Sequence, residues 1–168
     1  MCGIFGIVNF DEKPVLKEPL KTMSDKMIHR GPDDKGIWMD PTAGIGLAHQ
    51  RLSVIDLSSE GRQPMISASG RDVIAYNGEV YNFLELRKKL DHAGDSQWRG
   101  HSDTEVILAV IEKWGLLQAL TEFVGMFAFA LWDRKYKTLI LARDRIGEKP
   151  LYYGWVNKTF VFGSELKS

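Results

Sequence analysis

A chain of 168 residues is long enough for one domain, burying roughly 68–70% of its extended-chain surface. Its 22 Lys and Arg balance its 22 Asp and Glu, so no net field draws it to nucleic acid or to an anionic membrane, and no apolar run approaches a membrane span. Cys2 is the single cysteine, which excludes an internal disulfide, and the apolar start runs into Asp11, Glu12 and Lys13 without a basic leader; a cytoplasmic location is expected.

Residues 3–10 are β-branched and aromatic and give way to an acidic stretch with Pro14, which predicts a buried strand carrying Cys2 at its tip. Leu16, Leu20, Met23 and Met27, spaced by three and four, predict an amphipathic helix over 16–28. The following HRGPDDKG, residues 29–36, reads as a loop. Strands are expected over 37–39, 45–49 and 73–76. Asn82 is placed to cap a helix over 83–93 that Gly94 ends. Ser102 and Glu105 have the S-x-x-E form of a capping box, opening a helix that closes near Gly115. Further strands are expected over 126–132, 138–142, 151–156 and 160–163, with Asn157-Lys158 in a turn. Helices grouped between runs of strands predict antiparallel α+β rather than alternating βαβ.

A small second residue such as cysteine permits removal of Met1, after which Cys2 would carry both a thiol and a free α-amine. A free thiol titrates near ~8.5 and an α-amine at roughly 7.7–8.0, so the amine is a general base poised near working pH. Thiol and amine of one residue align poorly for direct transfer, and a bridging water is expected between them. A terminal nucleophile activated by its own amine is an established route to covalent catalysis. The competing reading is an inert cysteine buried at the start of a strand.

Four segments carry residues suited to a small amide substrate. In AHQRLSVID, the Arg51 guanidinium is a planar fork matched to a carboxylate; a surface ion pair is the alternative. In YNGEVYN, the Asn77 side-chain amide and the Gly78 backbone N–H are suited to a developing oxyanion, although Asn-Gly is equally a turn signal. In GHSDTE, Asp103 stands where a carboxylate complements a helix dipole or accepts from a substrate ammonium. ARDRIGEKPLYYG reads by composition as a solvated turn held by ion pairs. His29, His49, His92 and His101 show no spacing that singles out a Cys–His pair, and one cysteine with scattered histidines does not make a zinc site. A GxxxxGK[ST] phosphate loop is absent.

Taken in order, CGIFGIV, HRGPDD, HQRLSVIDLS, QPM, YNGEVYNFLELR, HSDTE, FVGMFAFALWD and RDRIGEKPLYYG resemble the glutamine amidotransferase domain of asparagine synthetases, over nearly the whole chain. Each motif is weak alone; the ordered set is specific. The resemblance implies a class II, N-terminal-nucleophile amidotransferase, with residues 1–168 forming a single domain. It also implies a four-layer αββα sandwich of two antiparallel sheets between helix layers. In that pattern Cys2 attacks the side-chain amide of L-glutamine, releasing ammonia and leaving a thioester that water hydrolyses to glutamate. Asn77 and Gly78 match the oxyanion positions. Arg51 matches the residue that binds the α-carboxylate, with Leu52, Ser53, Val54 and Ile55 in the adjoining loop, and Glu79 and Asp103 match those that engage the α-amine. No cofactor is implied for this domain. The RDRIGEKPLYYG segment is a family hallmark with no catalytic step attached.

YNGEVYNFLELR sides with asparagine synthetases rather than with the sugar-phosphate or purine branches. Full-length members of the family continue past the FGSELKS region into an ATP- and magnesium-dependent synthetase domain that consumes the ammonia. The chain holds no candidate for that domain, so a synthetase domain or subunit is the expected partner. A form retaining Met1 is expected to be inactive, because its α-amine belongs to the wrong residue. Two alternatives stay open: a non-catalytic regulatory or interaction domain with the same fold, and an N-terminal-nucleophile hydrolase acting on a different amide.

Overall fold

The strand signals resolve into two antiparallel sheets in the computed structural model, which describes residues 1–11, 13–92, 94 and 98–167. The first sheet contains β1 (Gly3–Asn9), β2 (Asp34–Asp40), β3 (Ile45–Arg51), β8 (Tyr152–Val156) and β9 (Thr159–Gly163), in the order β2-β3-β1-β9-β8. The second contains β4 (Met65–Ile66), β5 (Asp72–Val80), β6 (Gly125–Asp133) and β7 (Thr138–Arg143), in the order β4-β5-β6-β7. The helices are α1 (Lys17–Lys26), α2 (Phe83–His92), α3 (Asp103–Trp114) and α4 (Leu116–Glu122).

Alternation along each strand sorts the apolar residues into three cores. Phe5 and Ile7 of β1 join Ala48 of β3 beneath Leu20 of α1 and Met27. Ile4 and Val8, pointing the other way, meet the second sheet together with Leu47 and Phe162; their partners there are Val73, Ala75, Ala128, Ala130 and Trp132. The opposite face of the second sheet sets Ile74, Tyr76, Phe127, Phe129 and Leu131 under the three later helices. The result is helix, sheet, sheet, helix, the four-layer α+β sandwich that the resemblance implied. It also explains why β1 reads as a continuous apolar run: both of its faces are covered.

Several local expectations shift. The first helix begins at Lys17 and ends at Lys26, inside the predicted 16–28. The last three residues of HRGPDDKG belong to β2, not to a loop. Asn82 does not cap with its side chain: its Oδ1 accepts from Val124 N–H at 3.1 Å and its Nδ2 donates to Glu122 O at 2.9 Å, tying α2 to the end of α4. The predicted last residue of α2, Ala93, lies outside the described residues. Only half of the capping box forms. Ser102 Oγ accepts from Glu105 N–H at 3.3 Å, whereas the Glu105 carboxylate accepts from the N–H groups of Arg99 at 2.9 Å and Gly100 at 3.0 Å. The short β4, the 3₁₀ turn at Ser59–Gly61 and α4 carry too little periodicity to be read from sequence.

Small residues set the spacing between the sheets, since Ala75, Ala128 and Ala130 are fully buried there. Ala130→Leu is expected to cost about 1–3 kcal/mol by overpacking, read as a lower urea midpoint; an unchanged midpoint would show that this layer is not close-packed.

Candidate active site

The register Gly3↔Gln50 carries Cys2 just past the β1–β3 ladder, beside Leu52. The thiol there donates to Leu52 O at 3.6 Å, and Leu52 N–H donates to Sγ at 3.3 Å. Burial pushes the thiol above its ordinary value and outweighs the opposing pulls of the Leu52 N–H, the terminal ammonium and Arg51, with Asp103 adding the smallest push upward. The resting sulfur is therefore a thiol that needs a base. It opens into a cleft of about 180 Å³ that both sheets and the start of α3 enclose.

Asn77 and Gly78 lie on this cleft at the end of β5. Asn77 is 2% exposed, and its Nδ2 is buried without a hydrogen-bond partner among the described residues. Leaving such a donor unpaired costs about 1–3 kcal/mol, so its orientation asks for an acceptor. The Gly78 N–H follows from the ladder. Phe127, opposite Gly78, turns its own N–H and C=O to Asp144, so the pair is of the non-hydrogen-bonded kind and Gly78 N–H points away from β6. Of the neighbours pointing the same way, Tyr76 N–H reaches Gln63 Oε1 at 2.6 Å and Val80 N–H reaches Asp103 Oδ2 at 3.1 Å. Gly78 lies between them on the cleft wall. A Cβ there would also stand 2.7 Å from Phe127 Cα, so no larger residue fits.

Arg51 lines the cleft but is 7% exposed and already committed in part. Its Nη1 donates to Ser58 O at 2.9 Å and its Nη2 donates to Asp56 O, so two of the five guanidinium donors brace the loop after β3. Leu52, Val54 and Ile55 of that loop line the cleft, whereas Ser53 does not; its N–H is held by Asp33 Oδ2 at 2.8 Å. Sequence reasoning missed the residue that organises this loop. The Asp56 carboxylate accepts from Ser58 N–H at 2.8 Å, Ser58 Oγ at 2.6 Å and His101 N–H at 3.0 Å, which joins the Arg51 side of the cleft to the approach to Asp103.

Asp103 and Glu79 form the acidic side. Asp103 Oδ2 accepts from the Tyr76 hydroxyl at 2.7 Å as well as from Val80 N–H. Burial raises the carboxyl above its usual range against these donors, and burial likewise drives the Tyr76 hydroxyl well above its ordinary value, keeping it a donor. Tyr76 and Gln63 have no isolated sequence signal; each lies within a quoted motif but acts on a segment distant in the chain. The hallmark RDRIGEKPLYYG also acquires a place. The Asp144 carboxylate accepts from the N–H groups of Phe127, Glu148 and Lys149 at 3.2, 2.8 and 3.0 Å, and Arg143 Nε donates to Lys149 O at 2.6 Å. This turn delivers Lys149, 6% exposed, to the cleft, where its Nζ lies 3.6 Å from Met1 Sδ.

None of the four imidazoles bonds to Cys2 among the described residues. His29 meets Glu165, His92 meets Lys88 O, and the buried His49 ring meets Tyr76 O at 3.0 Å, burial lowering its pKa to about 4. Among the described residues no group of three or more His, Cys, Asp and Glu side chains is placed to hold a metal ion, and no helix is long and apolar enough to cross a membrane.

A family model described as a glutamine amidotransferase domain matches residues 1–168. The chain is 42% identical to a putative asparagine synthetase [glutamine-hydrolyzing] 2 of Methanocaldococcus jannaschii, over 99% of this chain and 34% of that protein. It is also 42% identical to asparagine synthetase [glutamine-hydrolyzing] 3 of Bacillus subtilis, over 100% of this chain and 27% of that one. The chain thus spans about a third or less of these curated relatives. Among solved structures, the glutamine phosphoribosylpyrophosphate amidotransferase of B. subtilis superposes with a TM-score of 0.76 at 22% identity, covering 98% of this chain and 42% of that one. At that identity the likeness bears on fold alone, the four-layer α+β sandwich.

Removing the Tyr76 hydroxyl tests the acidic side. Asp103 is raised above the ordinary carboxyl value and Tyr76 is a donor opposing that rise, so Tyr76→Phe raises it further. A carboxyl raised in the folded state contributes stability at low pH that is lost as pH rises through its folded value; the variant enlarges that loss and extends it to higher pH. Carboxyl-carbon NMR titration of Asp103 reads the shift, and a downward shift contradicts the assignment.

Proposed function

The chain belongs to the glutamine amidotransferase domain family, and from that membership we propose that it hydrolyses L-glutamine to glutamate and ammonia through a thioester on Cys2. The observation that carries the reading is the unpartnered Asn77 amide, buried on the same cleft as the thiol. In the active form Met1 is removed. This vacates the mouth of the cleft beside Lys149 and leaves the α-amine on Cys2 itself. The amine takes the Sγ proton, through a water where direct alignment is poor.

The thiolate then attacks the side-chain amide carbon of glutamine. The carbonyl oxygen becomes an oxyanion that accepts from Asn77 Nδ2 and Gly78 N–H. Collapse breaks the C–N bond, the Cys2 ammonium returns its proton to the departing nitrogen, and ammonia leaves. Water, deprotonated by the same amine, attacks the thioester through a second oxyanion, releasing glutamate and the thiol. Arg51 and the cleft-lining loop residues Val54 and Ile55 receive the α-carboxylate, while Asp103 and Glu79 receive the α-ammonium. An ATP-dependent synthetase domain or subunit accepts the ammonia, for asparagine synthesis or a related amidation, in a cytoplasmic setting that suits an unpaired Cys2 thiol. Neither nucleic acid nor membrane is a partner, in keeping with the balanced charge.

After intact mass confirms loss of Met1, the processed protein is expected to release ammonia and glutamate from glutamine, and Cys2→Ala and the Met1-bearing form are not. Absence of turnover in folded, processed protein would sink the proposal; turnover of other amides alone would point to a different hydrolase. Asn77→Ala is expected to lower kcat by ~10²–10³ with KM little changed. Arg51→Ala instead removes charge-assisted hydrogen bonds worth about 1.5–3 kcal/mol and raises KM roughly tenfold or more. Steady-state kinetics separate the two, and equal effects on both parameters would mean that the roles are misassigned.

A further inference from the structure

We infer that Glu165 is a positioning residue for Cys2, acting through Arg30, so that Ser164 and Glu165 brace the chain's first reactive residue. The inference rests on the reading of Cys2 as the nucleophile. Once Met1 is gone, Cys2 is a chain end, and chain ends are poorly ordered unless tied down. Its thiol touches the Leu52 peptide, but the β1 ladder begins only at Gly3. Among the described residues the remaining tie is the Cys2 carbonyl, which accepts from Arg30 Nε at 2.9 Å.

That arginine is itself held from the far end of the sequence. Its side chain is 9% exposed, and its Nη1 donates to Glu165 Oε1 at 3.1 Å. The same oxygen meets His29 Nε2 at 2.9 Å, and Lys167 Nζ lies 3.2 Å from Oε2. His29 foremost, then Arg30 and Lys167, hold the Glu165 carboxyl down at about 2 against the opposing effect of burial, so it is an anion at every working pH. Gly31 makes the approach feasible, because a Cβ there would stand 2.5 Å from the backbone of Gln50 and Arg51. The adjacent Ser164 closes a reciprocal pair with Ile4, its N–H donating to Ile4 O at 2.8 Å and its Oγ accepting from Ile4 N–H at 3.0 Å. Residues 164 and 165 thereby hold the backbone on both sides of Gly3.

Removing Glu165 leaves a nearly buried guanidinium without its carboxylate, an arrangement that favours release of the side chain toward water. The Cys2 carbonyl then loses its donor and the thiol and amine lose their aim, while the cleft groups that bind the two ends of an amino acid are untouched. Glu165→Ala in processed protein is therefore expected to lower kcat about tenfold or more, with KM little changed. Iodoacetamide is expected to alkylate Cys2 several-fold faster, because the freed terminus exposes the sulfur. Glu165→Gln, which keeps the shape and an acceptor oxygen but not the charge, is expected to fall between. Asp133→Ala, which breaks the remote Arg71 ion pair, serves as the control for general destabilisation. Unchanged alkylation in Glu165→Ala, or the same acceleration and kcat loss in Asp133→Ala, overturns the inference. The alkylation comparison needs no glutaminase turnover, so it decides the brace even if the proposed reaction fails.

Discussion

Everything at the cleft depends on the pairing of β1 with β3. Its register, Gly3↔Gln50 through Val8↔Ile45, does two things at once. It sends Phe5 and Ile7 to α1 and Ile4 and Val8 to the second sheet, and it leaves Cys2 beside the Leu52 peptide. A slip of one residue would exchange the two apolar faces of the strand and carry the thiol away from that peptide. The packing energy that fixes the register is therefore the same energy that aims the sulfur.

Around the sulfur the polar groups are segregated. Arg51, Asn77 and Lys149 present donors, while Asp103 and Glu79 present carboxylates, on one cleft between the sheets. Such segregation destabilises the free protein, since burial raises both the Cys2 thiol and the Asp103 carboxyl and leaves Asn77 Nδ2 without a partner among the described residues. In the proposed reaction a zwitterionic amino acid with a side-chain amide supplies complementary groups at each of these places, so local violations of good packing coincide with the surface proposed to bind it.

The supports of this cleft come from segments with no reacting atom of their own. Asp56 ties the Arg51 loop to the approach of α3, and Asp144 gathers three backbone N–H groups so that Lys149 reaches the rim. Each support is a carboxylate accepting from backbone N–H groups, joined at Asp56 by the Ser58 hydroxyl, in charge-assisted and directional bonds. In RDRIGEKPLYYG, conspicuous in the sequence, Asp144 and Arg143 have this scaffolding role.

Short-range pattern made much of the fold legible: the apolar run of β1, the three- and four-residue spacing of α1, and the Ser102 cap all act over a few residues. Residue chemistry and the order of the motifs likewise pointed to a thiol nucleophile, an amide donor and paired charges. The misses have the opposite character. Asn82 looks like a cap but is drawn to Glu122 and Val124, Glu105 turns from the capping box to Arg99 and Gly100, and Arg51 and Ser53 carry supporting bonds, to Asp56 and Ser58 and to Asp33, that no local pattern announces. The sequence by itself determined which chemical groups are present and which local elements form, because propensity and periodicity act between near neighbours. Only the tertiary structure decided which of those groups face the cleft and which hold it together, because contacts such as Cys2 with Leu52 or Arg30 with Glu165 join residues 50 and 135 positions apart, whose meeting depends on how both sheets pack.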